Sequence, residues 1–154
     1  MIKLKLLLTM FMAFIASYGQ KENELVKMLE ESILKSKIRY ESSPYLAYKK
    51  PPLLLCSDGL PSPFAEQNNS FYENIGMETI SWHNSKIYQE RMVQGVDVME
   101  VHYYLKGNIF EIYIHFLTAR KEKEEISLAY WFETIDKYIY EYSCETNEWR
   151  LKEE

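Results

Sequence analysis

The stretch "VMEVHYYLKGNIFEIYIHFL" (residues 98–117) decides the fold, because apolar and polar residues alternate on both sides of Gly107-Asn108. Such alternation is typical of strands with one buried face. If Gly107 and Asn108 form a two-residue turn, one side carries only apolar or aromatic pairs: Leu105–Phe110, Tyr103–Ile112, Val101–Ile114 and Met99–Phe116. A three-residue turn would place apolar residues opposite polar ones, which a half-buried sheet resists. The stretch therefore predicts a β-hairpin with a two-residue turn.

The other side of this hairpin carries the candidate functional residues. The same register puts three pairs on it: Glu100–His115, His102–Tyr113 and Tyr104–Glu111. Two imidazoles beside a carboxylate can bind a divalent metal or move protons. Pairs of this kind also stabilise a solvated sheet face without any chemistry. Both interpretations stay open for this face of the hairpin.

We name two sets of site residues from this register. The candidate catalytic residues are His102, His115, Glu100 and Tyr113, and the candidate binding residues are Tyr104, Glu111 and Tyr113. We expect no metal and no other cofactor, since one Glu-x-His and one cross-strand histidine do not form a metal-binding motif. The three aspartates, Asp58, Asp97 and Asp136, stand singly in the sequence.

Two further segments predict strands on the carboxyl side of the hairpin. The alternation continues in "ISLAYWFE" (residues 126–133), although a helix over 122–139 would also align its apolar residues. We favour the strand because Ile, Tyr, Trp and Phe crowd the segment. The stretch "YIYEYSCETNEWRL" (residues 138–151) predicts a terminal hairpin that turns at residues 145–147, with Trp149 against the sheet.

The sequence of the first half of the domain predicts a helix followed by an irregular segment. Residues 23–39 place five apolar residues on one helical arc: Leu25, Val26, Met28, Leu29 and Ile33. Residues 42–76 are rich in Pro, Ser and Asn, with a short strand expected at residues 53–56. In "TISWHNSKIY" (residues 79–88) we expect a hairpin that turns at Asn84-Ser85, with Trp82 opposite Ile87 and His83 on the surface.

These elements predict an α+β fold, in which an N-terminal amphipathic helix packs on a curved antiparallel sheet of five or six strands.

Residues 1–19 form a predicted signal peptide: two lysines precede an apolar run that is too short to span a bilayer, and small residues precede Gln20. Residues 20–154 are then a single exported domain, periplasmic or secreted after cleavage near Gly19. No membrane anchor is expected in the mature chain.

Charge and composition narrow the class of partner. The chain has 18 basic and 23 acidic residues, and the predicted leader contains two of the basic ones, which leaves a mature net charge of −7. An acidic chain without a basic stripe is unlike proteins that bind nucleic acid or anionic lipid, and we exclude both partners. The chain also has 13 tyrosines, a residue enriched at protein interfaces.

Cys56 and Cys144 are the two cysteines of the chain. We predict that Cys56 lies near the terminal hairpin and ties the irregular segment to the sheet. In an exported protein the two cysteines can form one disulfide, or they can remain two separate thiols. The sequence leaves both alternatives open, because it does not give the distance between them.

The sequence predicts a small exported binding protein without catalytic activity, which contacts another protein, for instance an exported enzyme or toxin that it neutralises. No catalytic motif with an established mechanism occurs in the chain. The alternative is a pocket protein, either a ligand-binding protein or a hydrolase, that uses the His, Glu and Tyr side chains of the hairpin.

Overall fold

The computed structural model describes residues 24–43, 53–58, 60, 74–82, 92–122 and 125–153, with the backbone alone at residues 131–134 and 153. Residues 24–41 form the helix α1. The strands are β1 (Leu53–Cys56), β2 (Thr79–Ile80), β3 (Val96–Lys106), β4 (Ile109–Glu122), β5 (Glu125–Ser143) and β6 (Glu148–Glu153). The six strands form one sheet in the order β2-β1-β3-β4-β5-β6, so the fold is α+β.

Several sequence predictions fall outside the described residues. They are the signal peptide over residues 1–19, most of the irregular segment over 42–76, and the hairpin at Asn84-Ser85 with His83. No helix in the described part of the chain has both the length and the apolar character that crossing a bilayer requires.

The central hairpin, β3 and β4, has the predicted register. Opposite residues include Met99–Phe116 and Leu105–Phe110 on one side and Glu100–His115 on the other. Gly107 opens the two-residue turn with a φ of +63°, a backbone conformation that glycine adopts without steric cost. The alternating pattern of residues 98–117 therefore gives the correct pairing.

The sheet is mixed, and the prediction of an antiparallel sheet is wrong for its β1 side. Strand β1 runs parallel to both β2 and β3. Its residues Leu54 and Cys56 are buried on one face of the sheet, and Leu55 is buried on the other. A continuous apolar run without alternation is typical of a parallel strand covered on both sides, and β1 is such a strand.

The carboxyl part of the chain folds as one long strand followed by a hairpin. Strand β5 includes the strand predicted at residues 126–133 and the first strand of the predicted terminal hairpin, and it excludes the alternative helix over 122–139. Its pairing with β4 shifts between His115 and Leu117. The hairpin to β6 turns at residues 144–147, one residue longer than predicted, and Trp149 contacts the rings of Phe110 and Tyr142.

The helix packs on one face of the sheet through apolar residues. Met28, Leu29 and Ile33 of α1 are buried in a cluster that includes Ile112 and Ile114 of β4. A second cluster lies on the opposite face, around Val98 of β3 and Leu117 of β4. Both faces of the central strands are therefore covered near β1.

Hydroxyl groups also link α1 to the sheet. The Ser32 Oγ atom donates to the Met28 carbonyl at 2.8 Å, so the Tyr140 hydroxyl, 3.1 Å away, is the donor to Ser32. One turn further along the helix, Ser36 and Tyr138 form a second pair with 3.0 Å between their oxygens. Both serines are fully buried, so these bonds satisfy groups that cannot reach water.

The last turn of α1 reaches a buried carboxylate of β3. The Tyr40 hydroxyl donates to Asp97 Oδ2 at 2.5 Å, and the Thr118 hydroxyl donates to Oδ1 at 2.7 Å. The Tyr40 ring stacks on Phe116 with 5.4 Å between ring centroids. Asp97 is thus held in the interior by two hydroxyl donors.

The predicted candidate disulfide does not form. Cys56 is buried in β1, Cys144 is exposed in the turn after β5, and both are free. Strands β3 and β4 lie between β1 and β5. At about 4.8 Å between neighbouring strands, β1 and β5 are about 14 Å apart, twice the Cα separation of about 7 Å that a disulfide tolerates. The prediction that Cys56 lies near the terminal hairpin is therefore wrong.

Candidate functional site

The sheet face opposite α1 carries all of the predicted site residues. We call this surface the aromatic face, and its members are Glu100, His102, Tyr104, Glu111, Tyr113, His115 and Tyr130. The first six come from the hairpin register of β3 and β4. Tyr130 comes from β5, where it lies opposite Leu117.

Glu100 is the hydrogen-bonding centre of the aromatic face. Its Oε1 atom accepts from the Trp82 indole N–H at 3.3 Å, and its Oε2 atom accepts from the Tyr130 hydroxyl at 3.2 Å. The His102 Nε2 atom lies 3.3 Å from the same Oε2. The Glu100 side chain is only 14% exposed, so these polar partners replace most of the water around its carboxylate.

The two histidines lie side by side with different surroundings. Their ring centroids are 5.3 Å apart with nearly perpendicular planes, and the His115 ring also contacts the edge of Tyr130. Burial lowers the pKa of the His115 imidazole, the neighbouring His102 lowers it further, and Glu100 opposes the shift. His115 is therefore neutral at pH 7, as a proton acceptor must be.

The three tyrosines of the aromatic face differ in their hydrogen bonds and exposure. Burial, together with the Glu100 charge, raises the pKa of the Tyr130 hydroxyl, which stays protonated at neutral pH. The Tyr113 hydroxyl donates to Glu111 at 3.1 Å, and the Lys137 ammonium lies 5.8 Å from the centre of the Tyr113 ring. Tyr104 packs edge-on against Tyr113 and is 58% exposed.

A shallow depression of about 300 Å³ lies between the histidines and the tyrosines. It is lined by His102, Tyr104, Tyr113 and His115. Among the described residues, no group of three or more His, Cys, Asp or Glu side chains has the arrangement of a metal site. The face can therefore offer hydrogen bonds, aromatic contacts and a neutral imidazole to whatever enters the depression.

The sequence misses three members of this neighbourhood. Trp82 reaches Glu100 from a segment 18 residues earlier, and Tyr130 and Lys137 approach from β5. Tyr130 belongs to a segment whose alternation does predict a strand, but the pairing of that strand with β4 is not encoded in its own pattern. No local signal connects Trp82 with the hairpin.

Comparison of the chain with protein-family models, with curated proteins and with solved structures found no match.

Proposed function

We propose that the protein is a small exported binding protein without catalytic activity, and that it contacts another protein through the aromatic face. The carrying observation is a set of exposed tyrosines beside a carboxylate with little access to water. Tyr104 is 58% exposed and Tyr130 is 43% exposed, and the hydroxyl of Tyr130 is held by Glu100. Exposed aromatic side chains of this kind are common anchors at protein interfaces.

Prior ordering of these side chains favours binding. A side chain that is already held in one conformation loses less entropy when a partner covers it. Tyr130 is fixed by Glu100, and Tyr113 is fixed by Glu111. The net charge of −7 expected for the mature chain favours approach to a basic partner surface, and an exported enzyme or toxin with a basic active site is the partner class we propose.

The test compares the aromatic face with an equally exposed residue on the other side of the same strand. The purified protein, Tyr104→Ala with Tyr130→Ala, and Leu105→Ala are each immobilised and exposed to the exported proteins of the source organism. Leu105 is the matched control, since it is 55% exposed and adjacent to Tyr104. We expect a protein that the wild type and Leu105→Ala retain and that the double variant loses.

Calorimetry with the purified partner should then show at least tenfold weaker binding by the double variant. Equal retention by all three proteins would place the interface elsewhere. A wild type that retains no exported protein would contradict the proposal.

A second candidate function rests on the depression between the histidines. A neutral His115 that lines the same depression as Tyr113 can accept a proton from a bound small molecule, which a hydrolase or a protein that binds an acidic ligand requires. Screening small-molecule fragments by NMR tests this function. Specific shifts confined to His102, His115 and Tyr113 that His115→Gln abolishes would favour it over protein binding.

A further inference from the structure

The depression on the aromatic face has the chemistry of a site for a guanidinium group. It lies between β3 and β4, since His102 and Tyr104 line it from β3 and Tyr113 and His115 line it from β4. We infer that this depression binds an arginine side chain, which the protein partner inserts. The inference rests on the proposed function, and it names the chemical group that the partner places on the aromatic face.

Two tyrosine rings form one end of the depression. The Tyr104 ring lies 5.9 Å from the Tyr113 ring, with 74° between their planes. The flat face of a tyrosine ring attracts a cation, and the Lys137 ammonium already lies 5.8 Å from the centre of the Tyr113 ring. Lys137 comes from β5, whereas the depression lies on the β3 side of Tyr113. Tyr104, which is 58% exposed, is therefore the ring that can stack on a cation from another molecule.

Glu111 places a negative charge beside these rings. It lies directly opposite Tyr104 in the register of β3 and β4, and its Oε2 atom accepts from the Tyr113 hydroxyl at 3.1 Å. Among the described residues, Tyr113 is the one hydrogen-bond donor to this carboxylate, and neither Lys106 nor Lys137 forms an ion pair with it. A carboxylate has two acceptor oxygens, so Oε1 of Glu111 can accept an N–H donor from a ligand.

The surrounding charge favours a cationic ligand. Glu100 is a second carboxylate on the same side of the hairpin. Its partners are an indole, a tyrosine hydroxyl and a histidine, and none of them carries a permanent charge. The net charge of −7 expected for the mature chain acts in the same direction.

The arrangement suits a guanidinium better than an ammonium. A guanidinium is planar and weakly hydrated, so it can stack on a ring while the N–H groups in its plane donate to a carboxylate. Tyr104 and Glu111 form a directly opposite pair, whose side chains lie close enough to contact one group. An ammonium is strongly hydrated, and a shallow depression does not replace its water.

The test is an NMR titration of the full chain, labelled in its tyrosine and histidine rings. The ligands are the N-acetyl methylamides of arginine, citrulline and lysine. Citrulline has the shape of arginine without its charge. We expect saturable shifts of the Tyr104 and Tyr113 rings with arginine, about tenfold weaker binding of citrulline, and intermediate binding of lysine.

Two pairs of variants locate the site. Glu111→Gln should weaken arginine binding about fivefold, although its amide oxygen still accepts from Tyr113. Glu122→Gln is the control, since it removes the same charge from an exposed position of the same strand, and it should leave binding unchanged. Tyr104→Ala should abolish the shifts of Tyr113, whereas Tyr104→Phe should retain them because the ring remains.

The outcomes separate this inference from the proposed function. Retention of an exported protein by the aromatic face, without shifts from the arginine derivative, would overturn the inference and leave the proposed function standing. Arginine binding that depends on Glu111, without any retained protein, would support the guanidinium site and contradict the proposed function. Equal binding of arginine and lysine would show a site for any cation and overturn the inference. Equal binding by the wild type and Glu111→Gln would also overturn it.

Discussion

Replacing Tyr40 by Phe isolates one hydrogen bond between α1 and the sheet. The ring and its stacking on Phe116 remain, while Asp97 loses the closer of its two hydroxyl donors. A hydrogen bond to a charged group contributes about 1.5–3 kcal/mol, and Asp97 is too buried for water to replace it fully. We expect the free energy of unfolding to fall by about 2 kcal/mol at pH 7.

The measurement is urea unfolding followed by tryptophan fluorescence. Tyr142→Phe is the matched control, since its hydroxyl lies 3.4 Å from Asn147 at an exposed position, and it should change stability by no more than about 0.5 kcal/mol. The slope of the transition should stay the same in both variants, because the surface exposed on unfolding does not change.

The same substitution has a signature at alkaline pH. Burial raises the pKa of Tyr40 well above its usual 10.0, and the hydrogen bond to Asp97 and its charge raise it further. Above pH 10 the unfolded chain therefore loses a proton that the folded chain keeps, and stability falls by up to about 1.4 kcal/mol per pH unit. Tyr40→Phe should make this fall shallower. The reasoning would be refuted if Tyr40→Phe were as stable as the wild type at pH 7 and lost stability equally steeply above pH 10.

Three further predictions follow from burial and charge. Ile112→Ala, at a fully buried position of β4, should cost about 3 kcal/mol in urea unfolding, whereas Leu105→Ala should cost less than about 1 kcal/mol; equal costs would contradict the assigned core. In an NMR titration His115 should lose its proton with a midpoint below pH 6.5, and a midpoint at or above 6.5 would disprove this. The unfolded chain then takes up this proton at a higher pH than the folded chain, so the free energy of unfolding should decrease as the pH falls below 6.5. His115→Gln should remove this part of the pH dependence. In native oxidised protein Cys144 should react with a thiol reagent and Cys56 only after denaturation, and finding no reactive thiol in the denatured chain would show a disulfide.

Local alternation accounts for the part of the fold that the sequence predicts. The pairing of Glu100 with His115 follows from a turn at Gly107-Asn108 and from apolar residues spaced by two. The same alternation selects a strand over a helix at residues 126–132. Because six of the seven residues of the aromatic face lie on this one hairpin, most of the candidate site could be placed before the structure was known.

Contacts between distant segments account for the part that the sequence does not predict. Asp97 stands alone in the sequence, yet its donor Tyr40 lies 57 residues earlier in the chain. Asp136 likewise meets Arg39 only after α1 has docked on the sheet. The parallel pairing of β1 depends on a crossover connection, and the four apolar residues of β1 do not predict which strands that connection brings beside it.

The two hydroxyl pairs beneath α1 fix the axial position of the helix on β5. Ser32 and Ser36 are separated by about 6.0 Å along the helix axis, and Tyr140 and Tyr138 by about 6.6 Å along β5. The two spacings match in only one axial position, with the helix running antiparallel to the strand. A shift by one turn would set Met28 against the hydroxyl of Tyr140. An apolar stripe alone would tolerate such a slide, so these four oxygen atoms determine where along β5 the helix α1 docks.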